Sequence, residues 1–276
     1  MDQRIDKAAA LANAAMYNSE HIKKYVHGAP HVKHAALRKM YGRMVADRYN
    51  YATHYFSVPR ILDLGAGEGS ATRQFLDLGA KVMAVDISND QLILLRKQCV
   101  NYGDRLETRC EAVVEALRSL QRDGKQFDIV VANSFLHHIP DYLELIRLTG
   151  GVIAPHGQFF SFQDPLRYDS LSKATYAFSI LAYFCWRIFQ GDIIGGIRRR
   201  IRRSKGIYIT GSMEDDAEYH VGRNGVDQEA IQKLFSELKF DCLIVKYFST
   251  QSPFWQKIGS QLRIKNSFGI IAKKIN

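Results

Sequence analysis

The chain has 276 residues, a formal net charge of +10, four cysteines, 46% apolar residues and 24% charged residues. This composition is that of an ordinary globular protein and excludes a disordered, collagenous or disulfide-framework chain. The length allows a full core, in one large domain or one domain with a sizeable insertion.

Residues 1–16 (MDQRIDKAAALANAAM) carry Asp2, Arg4, Asp6 and Lys7 and have no continuous apolar run, so they read as helix rather than as a secretory signal. Residues 1–55 as a whole are expected to be helical and to precede a sheet. Short apolar runs then alternate with helical periods. Strands are expected at 60–64 (RILDL), 81–85 (KVMAV), 105–109 (RLETR), 127–132 (FDIVVA) and 158–163 (QFFSFQ), with helices at 69–78, 89–101, 112–121 and 140–149 between them. Strands this apolar, separated by helices, indicate a parallel sheet covered on both faces. Its right-handed crossovers place the loops that follow the strands along one edge.

Residues 164–226 interrupt this alternation and read as an inserted cap or lid. They hold the aromatic segment 174–197, the basic run 198–205 (RRRIRRSK) and a polar stretch. The pattern resumes with a helix at 227–238, Asp227 being its expected N-cap. Two strands at 240–248 and 267–275 are expected to pair as a hairpin across a long connection. The expected organisation is therefore 1–55 as a helical cover, 56–163 as a binding core, 164–226 as the insert and 227–276 as the rest of the sheet.

Removing the six cations of 198–205 from the 38 basic residues leaves a body close to neutral against 28 acidic ones. One basic spot on such a body argues against a nucleic-acid partner. The uncharged stretch 174–186 is 13 residues long, short of the roughly 20 that span a membrane. The basic run beside it leaves peripheral contact with a membrane surface as an expectation. Cys99, Cys110, Cys185 and Cys242 are scattered without metal-ligand spacing, so no metal site is expected and reduced cytoplasmic thiols are. The long N-terminal helix and apolar cap suit a homo-oligomer.

The strongest signal is Asp63-Leu64-Gly65-Ala66-Gly67-Glu68-Gly69, between an apolar strand and a helix. Glycines permit positive φ and close approach of a ligand, and the helix start behind them offers free N–H groups. A dinucleotide fingerprint is GxGxxG, but here Ser70 occupies the third glycine position. Asp63 can receive a ligand ammonium and the helix start a carboxylate, which suits an amino-acid zwitterion better than a pyrophosphate. Asp86, ending KVMAVD, can accept from two ribose hydroxyls. Its other reading is a helix N-cap, a role Ser88 fills equally well.

With DLGAGEG, VDIS, CEA and FDIVVANSFLHHI in this order, the chain resembles the class I S-adenosylmethionine-dependent methyltransferases, strongly over 60–163 and in outline over 227–275. The resemblance implies an α/β, Rossmann-like, seven-stranded, mostly parallel sheet with helices on both faces and an antiparallel final strand, here with N-terminal helices and an inserted helical cap. It implies S-adenosylmethionine as cofactor and S-adenosylhomocysteine as product. Asp63, Gly65 and Gly67 would line the methionine portion, and Asp86 with Ile87 the ribose. Glu111 and Ala112 would lie near the adenine, Glu111 replacing the family's usual shorter aspartate. Asn133 would face the sulfonium and Tyr25 would cover the cofactor.

No Asn/Asp-Pro-Pro-aromatic motif follows the fourth strand, which argues against base methylation and for a small-molecule acceptor. His138 and, from the insert, His220 are the expected catalytic bases, while His31 and His34 read as surface residues. The dense aromatic segment suggests a roof over an apolar acceptor, with Tyr176, Trp186, Tyr219 and Arg223 as substrate contacts. The leading expectation is methylation of an apolar or aromatic metabolite on O, C or N, in specialised-metabolite biosynthesis. An RNA, a protein, or a lipid or quinone at the membrane surface as acceptor, and a non-catalytic cofactor-binding scaffold, are the alternatives.

Overall fold

A computed structural model describes residues 3–17, 29–190, 202–203, 205–209, 212–217 and 219–275. Three helices precede the sheet: α1 (Gln3–Tyr17), α2 (Pro30–Lys33) and α3 (Ala35–Thr53). The first half of the sheet then alternates β1 (Arg60–Leu64), α4 (Ser70–Asp77), β2 (Lys81–Asp86), α5 (Asn89–Gln98), β3 (Leu106–Cys110), α6 (Val113–Arg122), β4 (Phe127–Asn133), α7 (Tyr142–Val152) and β5 (Ile153–Pro165). In the insert lie α8 (Lys173–Gln190), α9 (Met213–Ala217) and α10 (Tyr219–Gly222). The chain returns through α11 (Gln228–Glu237), β6 (Phe240–Tyr247), α12 (Pro253–Gln261) and β7 (Ser267–Lys274).

The seven strands form one sheet in the order β3-β2-β1-β4-β5-β7-β6. The first five are parallel, and β7 runs antiparallel to both β5 and β6. β1 and β4 are buried along almost their whole length, as their unbroken apolar runs require in a sheet covered twice. On one face α6, α7 and α11 supply Leu117, Leu145 and Phe235 to a core. On the other α3, α4 and α5 supply Tyr41, Phe75 and Leu95. The α3 face is fastened by Arg48, which donates to Gln158 Oε1 at 3.1 Å, while Gln158 returns a bond to the Arg48 carbonyl at 3.0 Å. Tyr41 stacks on Phe160, and Phe162 stacks on Tyr247.

Two local features position the upper edge of the sheet. Ser88, not Asp86, caps α5: its hydroxyl accepts the Gln91 N–H at 3.3 Å, which leaves the Asp86 carboxylate for other work. In β5 the register shifts between Ser161 and Asp164, with Gln163 at φ 73°. A left-handed residue in a strand marks a bulge that re-aims its neighbour, and Asp164 is thereby fully buried.

The structure differs from the sequence reading in three places. β5 is longer than 158–163 because the strand resumes after a kink at His156 (φ 63°). The expected final hairpin is an antiparallel pair, but α12 fills its connection; its Ser252-Pro253 start is a helix signal that the reading passed over. The described parts of the insert pack in different places: α9 on α1, α10 on the turn at Leu136–His138, and the aromatic α8 elsewhere, as described below. No helix among the described residues is long and apolar enough to cross a membrane.

Phe160 is fully buried against Tyr41. Phe160→Ala should lower unfolding free energy by ~3–5 kcal/mol, read from urea denaturation. A loss below about 1 kcal/mol would show that this side of the core is loosely packed.

Candidate active site

The parallel strands β1 and β2 end side by side, Leu64 in register with Val85. The chain leaving β1 is locked to β2 there: the Gly65 and Ala66 N–H groups donate to the Val85 carbonyl at 2.9 and 3.1 Å. Gly65, Gly67 and Gly69 then take φ of 68°, 55° and 91°, a conformation that L side chains rarely adopt. A Cβ on Gly65 would stand 2.1 Å from the Phe135 ring, so this glycine is required sterically as well. A Cβ on Gly67 would meet nothing nearer than Gln91 at 3.9 Å. At that point the backbone faces open space.

That space is a cavity of about 830 Å³, in the upper part of the ~300–1,000 Å³ range of small-molecule sites. Its floor is Asp63, Gly65, Gly67 and Asp86. An apolar slot of Ile87, Ala112, Val113 and Val114 forms one end, and Asn133, Ser134 and Phe135 another wall. Ala9, Ala10 and Asn13 of α1 with His31 and Val32 of α2 cover it.

Seven carboxylate residues line it (Asp6, Asp63, Glu68, Asp86, Glu115, Asp141 and Glu144) against the cations Lys7 and Arg118. A basic protein thus holds an acidic cavity. Such a field draws in cations and disfavours anions. The two floor carboxylates are the most constrained. Asp63 is 1% exposed, and burial pushes its carboxyl up to about 6; the Thr72 hydroxyl, donating at 2.6 Å, opposes this and the nearby Asp86 charge adds to it. Asp86 is also raised by burial, opposed by the Ser88 and Gly67 N–H groups that donate to its two oxygens at 2.8 Å each.

The four histidines near the site meet different fates. His138 lines the cavity. Its Nδ1–H donates to the Ala217 carbonyl at 2.5 Å, so the neutral ring carries its lone pair on Nε2. His137 turns the other way and donates from both Nδ1 (2.8 Å) and its backbone N–H (3.2 Å) to buried Asp164. His220 does not line the cavity. Its Nε2–H donates to the carbonyls of Ile139 and Pro140 at 2.9 and 3.2 Å, and burial holds it down at about 4. It braces the wall rather than touching a ligand.

His31, read from sequence as a surface residue, is 6% exposed and lines the cavity. Burial lowers it to about 4, and its Nε2 accepts from Asn133 Nδ2 at 3.3 Å. His34 is likewise buried and donates to the Thr250 carbonyl at 2.7 Å.

Other expected residues lie outside the cavity. Glu111 lies beside Arg109 at 4.0 Å, and its neighbours Ala112 and Val113 take the wall instead. Among the described residues, the expected aromatic roof does not line the cavity. Tyr176 is 39% exposed and faces Tyr168, Trp186 packs on Tyr183, and Phe178 packs on Phe248 and Trp255. Arg223 lies over the Tyr219 ring at 3.6 Å and over Tyr208 at 4.5 Å, and holds the Asp215 and Tyr219 carbonyls. These two side chains knit the insert together. Tyr25 and Arg198–Arg200 lie outside the described residues. Arg202 and Arg203 both donate to buried Asp215; burial opposes its ionisation, yet those bonds hold it at about 2.

A family model described as a methyltransferase domain matches residues 62–161, the segment from β1 to β5 that builds this floor. Residues 62–161 thus form a methyltransferase domain. The chain is 28% identical over 156 residues to the ubiquinone biosynthesis O-methyltransferase of Xanthomonas euvesicatoria pv. vesicatoria (strain 85-10), covering 56% of this chain and 58% of that protein. It thus spans a little over half the length of the curated relatives it matches. Solved methyltransferase structures match the fold beyond this segment. Magnesium protoporphyrin IX methyltransferase from Synechocystis PCC 6803 with bound SAH superposes with a TM-score of 0.57 at 15% identity, over 97% of this chain and 100% of the other. The 1,6-didemethyltoxoflavin-N1-methyltransferase of Burkholderia thailandensis gives 0.55 at 16% identity, over 100% and 92%.

The floor of this methyltransferase domain carries a stability signature. The folded state holds the Asp63 proton more tightly than the unfolded chain, so its contribution is full below about pH 3.8 and is lost as pH rises through about 6. In ligand-free protein, Asp63→Asn should therefore gain up to about 3 kcal/mol over wild type near pH 7.5 and nothing near pH 3.5. Urea unfolding at the two pH values checks this; an equal difference at both would remove Asp63 as the strained group.

Proposed function

We propose that this protein is an enzyme that transfers the methyl group of S-adenosylmethionine to a small, mainly apolar or aromatic metabolite. The observation that carries the reading is the joint presence, on one 830 Å³ cavity, of the glycine turn, the buried carboxylate of Asp63 and the half-buried carboxylate of Asp86. Buried charge is costly without a partner, and no cation among the described residues pairs with either group. A cationic, hydroxyl-bearing ligand meets that demand.

The residues fit this cofactor part by part. Asp63, Gly65 and Gly67 with the uncapped start of α4 would hold the zwitterionic amino-acid end. Asp86 has acceptor capacity left for the ribose hydroxyls after taking its backbone N–H groups. Ile87, Ala112 and Val113 would flank the adenine. Asn133 and Phe135 would lie toward the sulfur. In this reading residues 1–55 are the cover, 56–163 the cofactor core, 164–226 an insert that completes the cover, and 227–276 the completion of the sheet.

When bound, the cofactor supplies an electrophilic methyl group on sulfur. What remains for the protein is alignment and exclusion of water, which can supply ~7–11 kcal/mol of the barrier. Residues of α1 and α2 line the cavity, and α9 backs α1. His138 holds its proton at Nδ1 against the Ala217 carbonyl, and Nε2 is the nitrogen able to take a proton from an acceptor hydroxyl. O-methylation is the reaction named for the ubiquinone biosynthesis relatives, and it supports oxygen as the acceptor atom. The excess of carboxylates around the cavity favours an uncharged acceptor over an anionic one.

Isothermal titration should show S-adenosylhomocysteine binding and no binding of NAD. Asp86→Ala should weaken that binding by about 10–100-fold, the equivalent of losing ~1.5–3 kcal/mol of charge-assisted hydrogen bonds. Unchanged affinity would remove Asp86 from the site, and binding of NAD alone would overturn the reading.

A labelled-methyl transfer screen against phenolic and quinol-type acceptors tests the base. His138→Ala should slow turnover by about 10²–10⁴-fold while S-adenosylhomocysteine affinity changes less than about threefold. Full activity in that variant would show that the acceptor needs no proton removed by His138.

A further inference from the structure

A second cavity opens on the same edge of the sheet, beyond β5. It follows from strand register: Pro165 at the end of β5 lies opposite Ser267, and Ser267 lies opposite Tyr247 at the end of β6. The segments that leave or enter these three strands therefore converge. Between them is a space of about 310 Å³ lined by Lys246, Arg263 and Lys265, with Ser170, Ser172 and Thr175 across from them.

The charge is one-sided. Among the described residues, no carboxylate comes within ion-pairing distance of any of the three cations. Asp169, the nearest acid in sequence to the hydroxyl-bearing wall, already accepts from Arg167 and from Asn224. The hydroxyls complement the cations. Ser172 donates to Thr175 Oγ1 at 3.0 Å and accepts the Thr175 N–H at 3.1 Å, so the Thr175 hydroxyl proton is the one left to donate to a ligand oxygen. Leu166, Leu171, Leu262 and Ile264 supply the remaining walls, and Lys246, Arg263 and Lys265 are exposed, so the site is open to a ligand from solvent.

Three like charges gathered from a strand and a loop around one space make a positive patch that favours an anion over a cation. An anion with several oxygens, presented to a mixture of ammonium, guanidinium and hydroxyl donors, matches this set better than a single carboxylate. The main cavity has the opposite sign, so the two sites would not compete for one ligand.

We propose that the cavity between the ends of β5 and β6 binds a phosphate group through Lys246, Arg263, Lys265 and Thr175. The group can belong to a soluble phosphorylated compound or to a phospholipid headgroup, and the two sources separate experimentally. The full chain is titrated with inorganic pyrophosphate by calorimetry and, in parallel, sedimented with phosphatidylcholine vesicles with and without phosphatidic acid. The comparison variants are the double substitution Lys246→Gln/Lys265→Gln and, as a milder change, Thr175→Val.

Pyrophosphate binding that weakens at least about tenfold in the double variant, and more modestly in Thr175→Val, supports the site with a soluble ligand. Binding only to phosphatidic acid vesicles, lost in the same double variant, supports it with a headgroup. Absence of both, or binding that the double variant leaves unaltered, overturns it. S-adenosylhomocysteine titration of the same variants shows that they are folded. Failure of that titration in wild type as well would count against the methyltransferase reading and leave the phosphate site standing.

Discussion

The arrangement depends on one electrostatic constraint: two carboxylates are held under cover at the open edge of a parallel sheet without a cation among the described residues to answer them. Asp63 leans on the Thr72 hydroxyl and Asp86 on two backbone N–H groups. Hydrogen bonds of this kind lower the penalty of burial but do not neutralise charge. The glycine turn follows from it. Only left-handed backbone at Gly65 and Gly67 lets the chain bond to the Val85 carbonyl and still bring the Gly67 N–H onto Asp86. The Phe135 ring then fills the place a side chain at 65 would occupy. Charge, turn and aromatic wall are thus one construction.

The parts legible in the sequence are those that local chemistry decides. The runs RILDL and FDIVVAN state that their strands are buried on both faces, and they are the sheet's interior. The motif at 63–69 and the acid at 86 are read from strand, turn and helix in succession, and both reach the cavity. The illegible parts depend on contacts far along the chain. His31 looks like a solvent-facing residue on a short helix, and only the docking of that helix against Asn133 and Phe162, about a hundred residues on, buries it. Glu111 stands apart from the cavity lining for a subtler reason. A methylene more than the family's aspartate carries its carboxylate outward to Arg109, while the apolar residues after it keep the wall.

Aromatic density misled in the same way. Counting rings in 174–186 cannot say which surface they cover. Phe178 is claimed by Phe248 and Trp255, and Ala182 is the fully buried contact of α8. That helix closes over α12 and the end of β6, the region the sequence left as a bare connection. An unrecognised helix in 249–266 therefore accounts for the misplaced roof.

The histidines show how partners, more than position, divide roles. All four lie within reach of one wall. An Asp carboxylate takes His137, so that ring serves the fold by tying the 136–138 turn to the bulge in β5. Carbonyls of the wall take His220. His138 differs because its partner, the Ala217 carbonyl, belongs to α9, the element that packs on α1. The insert thus sets the tautomer of a cavity-lining ring and backs the cover over the same cavity. Asp215, two residues earlier, anchors this element by drawing in Arg202 and Arg203. Those two arginines, part of the basic run whose sequence suggests a membrane-surface contact, act as internal fasteners. Their pairing with Asp215 ties the local fold of the insert to the placement of His138 on the cavity wall.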